Sequence, residues 1–366
     1  MVHVAHSIEL NSREAVAELQ AKFGEVRPKV ILCFSSTKQE PHELVHQLHN
    51  AYRDALICGC TTAGEIVSGK SLKGSVVAMA LETDTVEKVA SVVIQNLGPT
   101  MDLDGAIKAL ELHMGASLDE LDPDHHVGLV ITDGLSGAEE RLIESIAEKT
   151  EIAFIGGSAG DDLKFQKTQV FLGKGVFENA AILVLMKVPK GFNIIKTQSF
   201  KMTGKVLEAT QVDEASRTIL SFNHKPAVEA YAEALGVSPE SVADHFMTYP
   251  LARMVAGEPY VRSPQMVQGT AIKFYCRVQR GEMLALMQAT DILSDTKKAV
   301  TEGLAEKPGA QGIIDFHCIL RALELESKGL SQDYGALFND VPTIGFCTYG
   351  EAWTTHINQT STMLVL

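Results

Sequence analysis

Positive charge is scarce in this chain. Its 32 Lys and Arg stand against 46 Asp and Glu, for a formal net charge of −14. Phosphate binding needs clustered basic residues, so nucleic acid is excluded as an expected partner. Anionic membrane surfaces are excluded on the same ground. No apolar run approaches the roughly 20 residues that cross a bilayer. The N-terminus MVHVAHSIELNSREA has neither the basic nor the apolar region of a secretory signal, and a cytoplasmic location is expected. Cysteine is sparse too: Cys33, Cys58, Cys60, Cys276, Cys318 and Cys347. Most sit in apolar, strand-like runs such as VILCF and IGFC, and read as free, buried thiols. The usual catalytic signatures are absent: no GxSxG, Walker loop, HExxH or Cys-x-x-Cys occurs. GGSAGD (156–161) does not fit GxGxxG. The expectation is a protein that is not an enzyme.

What is present reads as an ordinary globular protein. Hydrophobic residues make up 45% and charged residues 21% of 366, a length that predicts two or three domains. The N-terminal part carries a weak internal repeat. Its first copy, about 25–97, runs from the strand KVILCFSS through the helix PHELVHQLHNAYRD, with Pro41 at a first helical position. It continues into ALICGCTTAGEI, a strand ending in a glycine turn, and two further strands. The second copy, about 126–200, repeats that order with HVGLVITDGLS, GAEERLIESIAEKT and EIAFIGGSAGDDL. The predicted fold class is α+β (mixed α/β). Two βαβββ repeats form mixed or antiparallel sheets with flanking helices, and a smaller α+β module follows. Residues 1–205 are expected to form the first domain and 206–366 the second. In the second, Gly236 reads as a helix C-cap, and Ser294 or Asp295 as a helix N-cap.

The two glycine turns are the most informative local features. Glycine at a strand end permits close approach of the backbone to a ligand. Thr61, Thr62 and Ser158 add hydroxyls, Gly157 leaves its amide open, and Glu65 and Asp161 add carboxylates. Exposed amides there could hold a small polar ligand; alternatively, the turns pack repeat against repeat. Arg262 and Arg321 are candidate partners for a ligand carboxylate. Twelve histidines invite a metal reading. His42, His46 and His49 share one stripe of a helix, beside the apolar stripe of Leu44, Val45, Leu48 and Tyr52, and read as a solvated face. His317 and Cys318 are neighbours on a strand, so they point to opposite faces and cannot pair.

CGCTTAGEI, GGSAGDDLKFQKTQVF and GFCTYGEAWTTHINQT together resemble a FIST protein. FNHKPAVEAYAEALG and PLARMVAGEPYVRSPQ extend the resemblance over nearly the whole chain, as a FIST N-type domain followed by a FIST C-type domain. The resemblance implies a bacterial sensor of small ligands, amino acids among them. With no kinase, cyclase or methyl-accepting segment in view, it is similar to the stand-alone members that bind haem and sense nitric oxide. Those act on a histidine kinase or a cyclic-di-GMP enzyme. Haem is then the implied cofactor, and one neutral histidine its axial ligand. His356 ranks first, because it lies in the best-matching motif. His245, with Phe246, Met247 and Tyr249 around it, ranks second, and His317 third; Tyr249 is an outside candidate. The alternative is a haem-free receptor for an amino acid or similar metabolite. Homo-oligomerisation is left open by the sequence.

Overall fold

A computed structural model describes all 366 residues. The fold class is as expected, mixed α+β, but the repeat count is three. The first repeat contains β1 (Val30–Ser36), α1 (Pro41–Ala51), β2 (Leu56–Thr62), β3 (Glu65–Val67), β4 (Lys70–Leu72) and β5 (Val76–Leu81). The second contains β6 (His126–Thr132), α2 (Glu139–Ala147), β7 (Ala153–Ser158), β8 (Val170–Leu172), β9 (Gly175–Phe177) and β10 (Ala180–Lys187). The third contains β11 (Ile313–Cys318), α3 (Ile319–Ser327), α4 (Ser331–Ala336), β12 (Thr343–Thr348), β13 (Glu351–Trp353), β14 (Thr355–Ile357) and β15 (Thr360–Val365).

The pairing is the same in each copy. β1 lies parallel to β2, β6 to β7 and β11 to β12. On the other side of the first strand runs an antiparallel one: β5, β10 and β15 respectively. Helices bridge each parallel pair, as a parallel connection requires. An outer strand completes each set: Val2–Ser7 beside β5, Lys88–Gln95 beside β10 and Asn193–Gln198 beside β15. The short hairpins are exchanged in a ring. β3 of the first repeat pairs with β12 of the third. β8 of the second pairs with β2 of the first. β13 of the third pairs with β7 of the second. Each of the three six-stranded sheets thus takes its last strands from another repeat.

All residues of β1 and β6 are buried, which explains their near-continuous apolar runs. A common core joins the three copies through Phe34, Ile131, Ile155, Phe316 and Phe346. The rings of Phe34 and Phe346 lie 4.5 Å apart and those of Phe316 and Phe346 5.8 Å apart. Each such side chain contributes about 1.5–3 kcal/mol by leaving water.

The chain divides differently from the expected break at 205. One unit comprises Met1–Lys196, Lys297–His356 and Ser361–Leu366; the other comprises Thr197–Thr296 and Ile357–Thr360. The long segment of the second unit, Thr197–Thr296, interrupts the third repeat from within its outer strand to within the helix Ile292–Glu306. Residues 206–366, expected as one module, are thus shared between the two units. Within the second unit, the long strand Phe200–Asp213 pairs antiparallel with Met283–Ala289 and with Thr218–Phe222. The helix Ala227–Leu235 packs Tyr231 into that unit's own core and ends at Gly236 in the left-handed region, as expected. The cap of Ile292–Glu306 is a correction: the Asp291 carboxylate accepts from the Ser294 amide at 2.8 Å, so Ser294 and Asp295 lie inside the first turn. Pro41 does open α1, and Leu44, Val45 and Leu48 are its buried face, with His42 and His46 exposed. No helix is long and apolar enough to cross a membrane. All six cysteines are buried thiols.

Candidate functional site

One glycine per repeat sets the geometry around the turns. Gly59, Gly156 and Gly345 lie opposite Cys33, Val130 and Asp315 in the parallel pairs. A Cβ on them would stand 1.7, 1.7 and 2.4 Å from the carbonyl oxygen of those partners. Counting two residues on from each glycine gives Thr61, Ser158 and Cys347. These are register partners of Ser35, Thr132 and His317. Three equivalent cross-strand pairs result, two of paired hydroxyls and one of imidazole and thiol.

Beyond these pairs the turns interlock through backbone hydrogen bonds. The Gly160 and Asp162 amides donate to the Thr61 and Thr62 carbonyls, both at 2.9 Å. Ser158 donates to Gly350 at 2.9 Å, and Tyr349 to Ser158 at 3.0 Å. Cys347 donates to Gly64 at 2.8 Å, and Ala63 to Cys347 at 3.3 Å. Each junction between repeats is closed by two such bonds. Gly157 is packed by the Thr348 methyl, 2.5 Å from where its Cβ would be. Thr61, Thr62, Gly157, Ser158 and Asp161, expected as ligand contacts, all lie at or beside these junctions. These residues hold the repeats together, the alternative that the sequence left open.

The side chains follow suit. Thr61 accepts from the Gln169 amide at 3.0 Å. Glu65 is fully buried and accepts from the Thr62 hydroxyl at 2.5 Å, the Ser75 amide at 3.0 Å and the Ser75 hydroxyl at 2.6 Å. Burial pushes its pKa up to about 7, against the pull of those three donors. Thr348 donates to Glu351 at 2.5 Å, the same contact in the third repeat. Asp161 takes the Tyr349 hydroxyl at 2.6 Å and the amides of Phe165, Gln166 and Lys167 at 2.8, 2.6 and 2.9 Å. Burial alone would raise its pKa, but these donors outweigh it and hold the carboxyl below its ordinary value. Replacing Asp161 by Asn is expected to cost about 2 kcal/mol, the value of charge-assisted hydrogen bonds. It should also loosen the loop, so that trypsin nicks the variant faster at Lys164 and Lys167. Unchanged nicking would mean that the loop is held by something else.

The remaining candidates separate by unit. Arg262 and His245 belong to the second unit, Arg262 buried and His245 half-buried with its ring 6.1 Å from that of Tyr249. His317, Arg321 and His356 belong to the first. The His356 ring is 2% exposed and seated on Gly350, where a Cβ would stand 2.1 Å from the ring's Cε1. His317 is 1% exposed, its ring 4.3 Å from that of Tyr334, and neither ring nitrogen has a hydrogen-bond partner. Burial, reinforced by the Arg321 charge, lowers its pKa far below the usual histidine value, so the ring is neutral. It faces a cavity with about 30 Å³ of room for water centres. That holds roughly two waters, so a porphyrin does not fit beside His317 as it is placed. The His356 ring packs its nitrogen-bearing edge on Gly350, with Nε2 2.7 Å and Nδ1 3.2 Å from where a Cβ on that glycine would be.

The sequence reading missed Cys347, Tyr334 and Asp315 as neighbours of His317. Tyr334 donates to Asp315 at 2.7 Å and Ser361 donates to it at 2.6 Å. One signal was available: Thr62-Ala63-Gly64-Glu65 and Thr348-Tyr349-Gly350-Glu351 are one T-x-G-E string in equivalent turns.

Comparison with known proteins adds the following. A family model described as the FIST N domain matches residues 29–225, and one described as the FIST C domain matches residues 227–353. A curated protein of Methanocaldococcus jannaschii, described as uncharacterized, is 23% identical over 195 residues. The match covers 49% of this chain and 37% of that relative's length. A solved structure of cyanuric acid hydrolase from A. caulinodans aligns over 100% of this chain and 99% of its own. At 10% identity and a TM-score of 0.35, that likeness has no bearing on function.

Proposed function

This chain belongs to the FIST family, whose domains sense small ligands in signal transduction, and we propose that it is a cytoplasmic, non-enzymatic haem sensor of nitric oxide. His356 would hold the haem, and the signal would pass by protein contact to a histidine kinase or a cyclic-di-GMP enzyme. The observation that supports this reading is the His356 ring, buried and oriented by the missing Cβ of Gly350. A ferrous haem with one neutral histidine supplies an open coordination position for nitric oxide. The chain's part is to fix the imidazole and keep water away from it. The haem-free reading at the glycine turns has less support, because the amides it relied on are bonded to neighbouring turns.

The test is an absorption spectrum of the full-length protein reconstituted with haem. A Soret band that survives gel filtration is expected, and it should be lost in His356→Ala but kept in His245→Ala and His317→Ala. Absence of the band from the wild type would overturn the haem reading. A band kept in His356→Ala would overturn the choice of ligand.

A further inference from the structure

We propose that the cavity at His317 is a second binding site, for a small uncharged molecule that both donates and accepts hydrogen bonds, such as a primary amide or an alcohol. Three observations carry it. The first is the imidazole itself, buried to 1% exposure and lining the cavity with two nitrogens that nothing in the protein satisfies. Neutral imidazole offers one N–H donor and one acceptor, which is the complement of an amide or hydroxyl group.

The second is the comparison among repeats. The position of His317 is filled by Ser35 in the first repeat and Thr132 in the second. In the first repeat both hydroxyls find backbone partners: Ser35 donates to the Ser36 carbonyl at 3.0 Å and Thr61 to the Gln169 carbonyl of the second repeat at 3.4 Å. The fold is therefore built without an imidazole at this place, and packing alone does not call for one. Only the third repeat sets chemistry-bearing groups, His317 and Cys347, side by side against empty space.

The third is the wall. Leu72, Leu163, Ile319, Ala322 and Leu323 line it and suit a short apolar tail. Leu163 holds φ at +63° between Asp162 at +54° and, two residues on, Phe165 at +51°. A branched residue is rare in that region and stays there only when its surroundings force it. At the mouth, Lys73 meets Glu326 at 2.7 Å, both more than half exposed. Such an exposed ion pair is weak and opens readily to admit a ligand.

Charge selects against ions. Burial, with the carboxylates of Glu65 and Asp315, pushes the Cys347 thiol far up, so a negative charge is disfavoured here. Burial and Arg321 refuse a proton to His317, so a cation is disfavoured as well.

The test uses full-length protein carrying ¹⁵N-labelled histidine, titrated with acetamide and, separately, with acetate and methylammonium. Acetamide is expected to shift the His317 ring signals saturably, while the two ions leave them in place. His317→Ser, whose small hydroxyl copies Ser35 and Thr132, removes these signals and so assigns them. The saturable shift should vanish in Ala322→Leu, which fills the cavity while the His317 signals remain readable. A shift that rises linearly, in step with that of the exposed His224, would show that only water occupies the cavity and would overturn the proposal. Equal displacement by acetate would overturn the assignment of an uncharged ligand. Saturation that persists in Ala322→Leu would place the binding elsewhere.

Discussion

Gly156→Ala is expected to leave little folded protein, with a loss of more than about 4 kcal/mol, the tail of single-substitution effects. The added Cβ would stand 1.7 Å from the Val130 carbonyl oxygen and 2.7 Å from its carbonyl carbon. Both atoms belong to the backbone of the neighbouring parallel strand β6, so no rotamer change relieves the clash. β6 is also paired on its other side with β10, residue for residue from Thr132 to His126, and cannot retreat without breaking that ladder. A protein of this kind has about 5–15 kcal/mol in hand. The same result is expected at Gly59, where the distance to the Cys33 oxygen is also 1.7 Å, and a smaller loss at Gly345, where it is 2.4 Å. Urea unfolding followed by far-UV circular dichroism measures the cost. A variant with a midpoint near that of the wild type would mean that the strand pairs tolerate separation, and that these glycines do not set the register.

Those glycines also show what could be read from the sequence. β1, β2, β6 and β7 announce themselves as apolar runs because both faces of each sheet are covered. The end of each second strand is marked by glycine and hydroxyl residues, and that is where the turns lie. The third repeat uses the same parts, yet the inserted segment Thr197–Thr296 parts its outer strand from its first helix. Its strand β11 reads IIDFHC, with an aspartate and a histidine where the other copies are apolar or hydroxylic. The exchanged hairpins were hidden for a different reason. β3, β8 and β13 have three residues each, too few for a period to show, and their partners lie in other repeats. The candidate site was half visible for the same cause. His317 stands out in DFHC, and its sequence neighbour Cys318 is correctly excluded as a partner. Its register neighbour Cys347 becomes apparent only when β11 and β12 are laid side by side.

The interlocked turns carry a titration that stability measurements should expose. Glu65 is fully buried, and its pKa is up at about 7 from an ordinary 4.5, with burial the first cause. A folded-state pKa above the unfolded one means that the native protein holds its proton longer. The contribution to stability is then full below about pH 4.5 and is lost as pH rises through 7. The expected loss is about 3 kcal/mol, since a tenfold change in proton affinity is worth about 1.4 kcal/mol. Asp315, raised to about 6 by burial, runs in the same direction. His317 runs in the opposite one: its lowered pKa removes stability as pH falls below 6.5. The wild-type profile is the sum of these opposing parts, so its shape alone does not identify Glu65. Glu65→Gln isolates it. The amide keeps the size of the protonated carboxyl, can still meet Thr62 and Ser75, and cannot ionise. Between pH 5 and pH 8 the wild type should lose about 2–3 kcal/mol more than this variant in urea unfolding, while Asp315 and His317 act alike in both. Equal losses would show that Glu65 ionises in place at no cost, its charge carried by the Thr62 and Ser75 donors, and the turn between the first and third repeats would then be indifferent to pH.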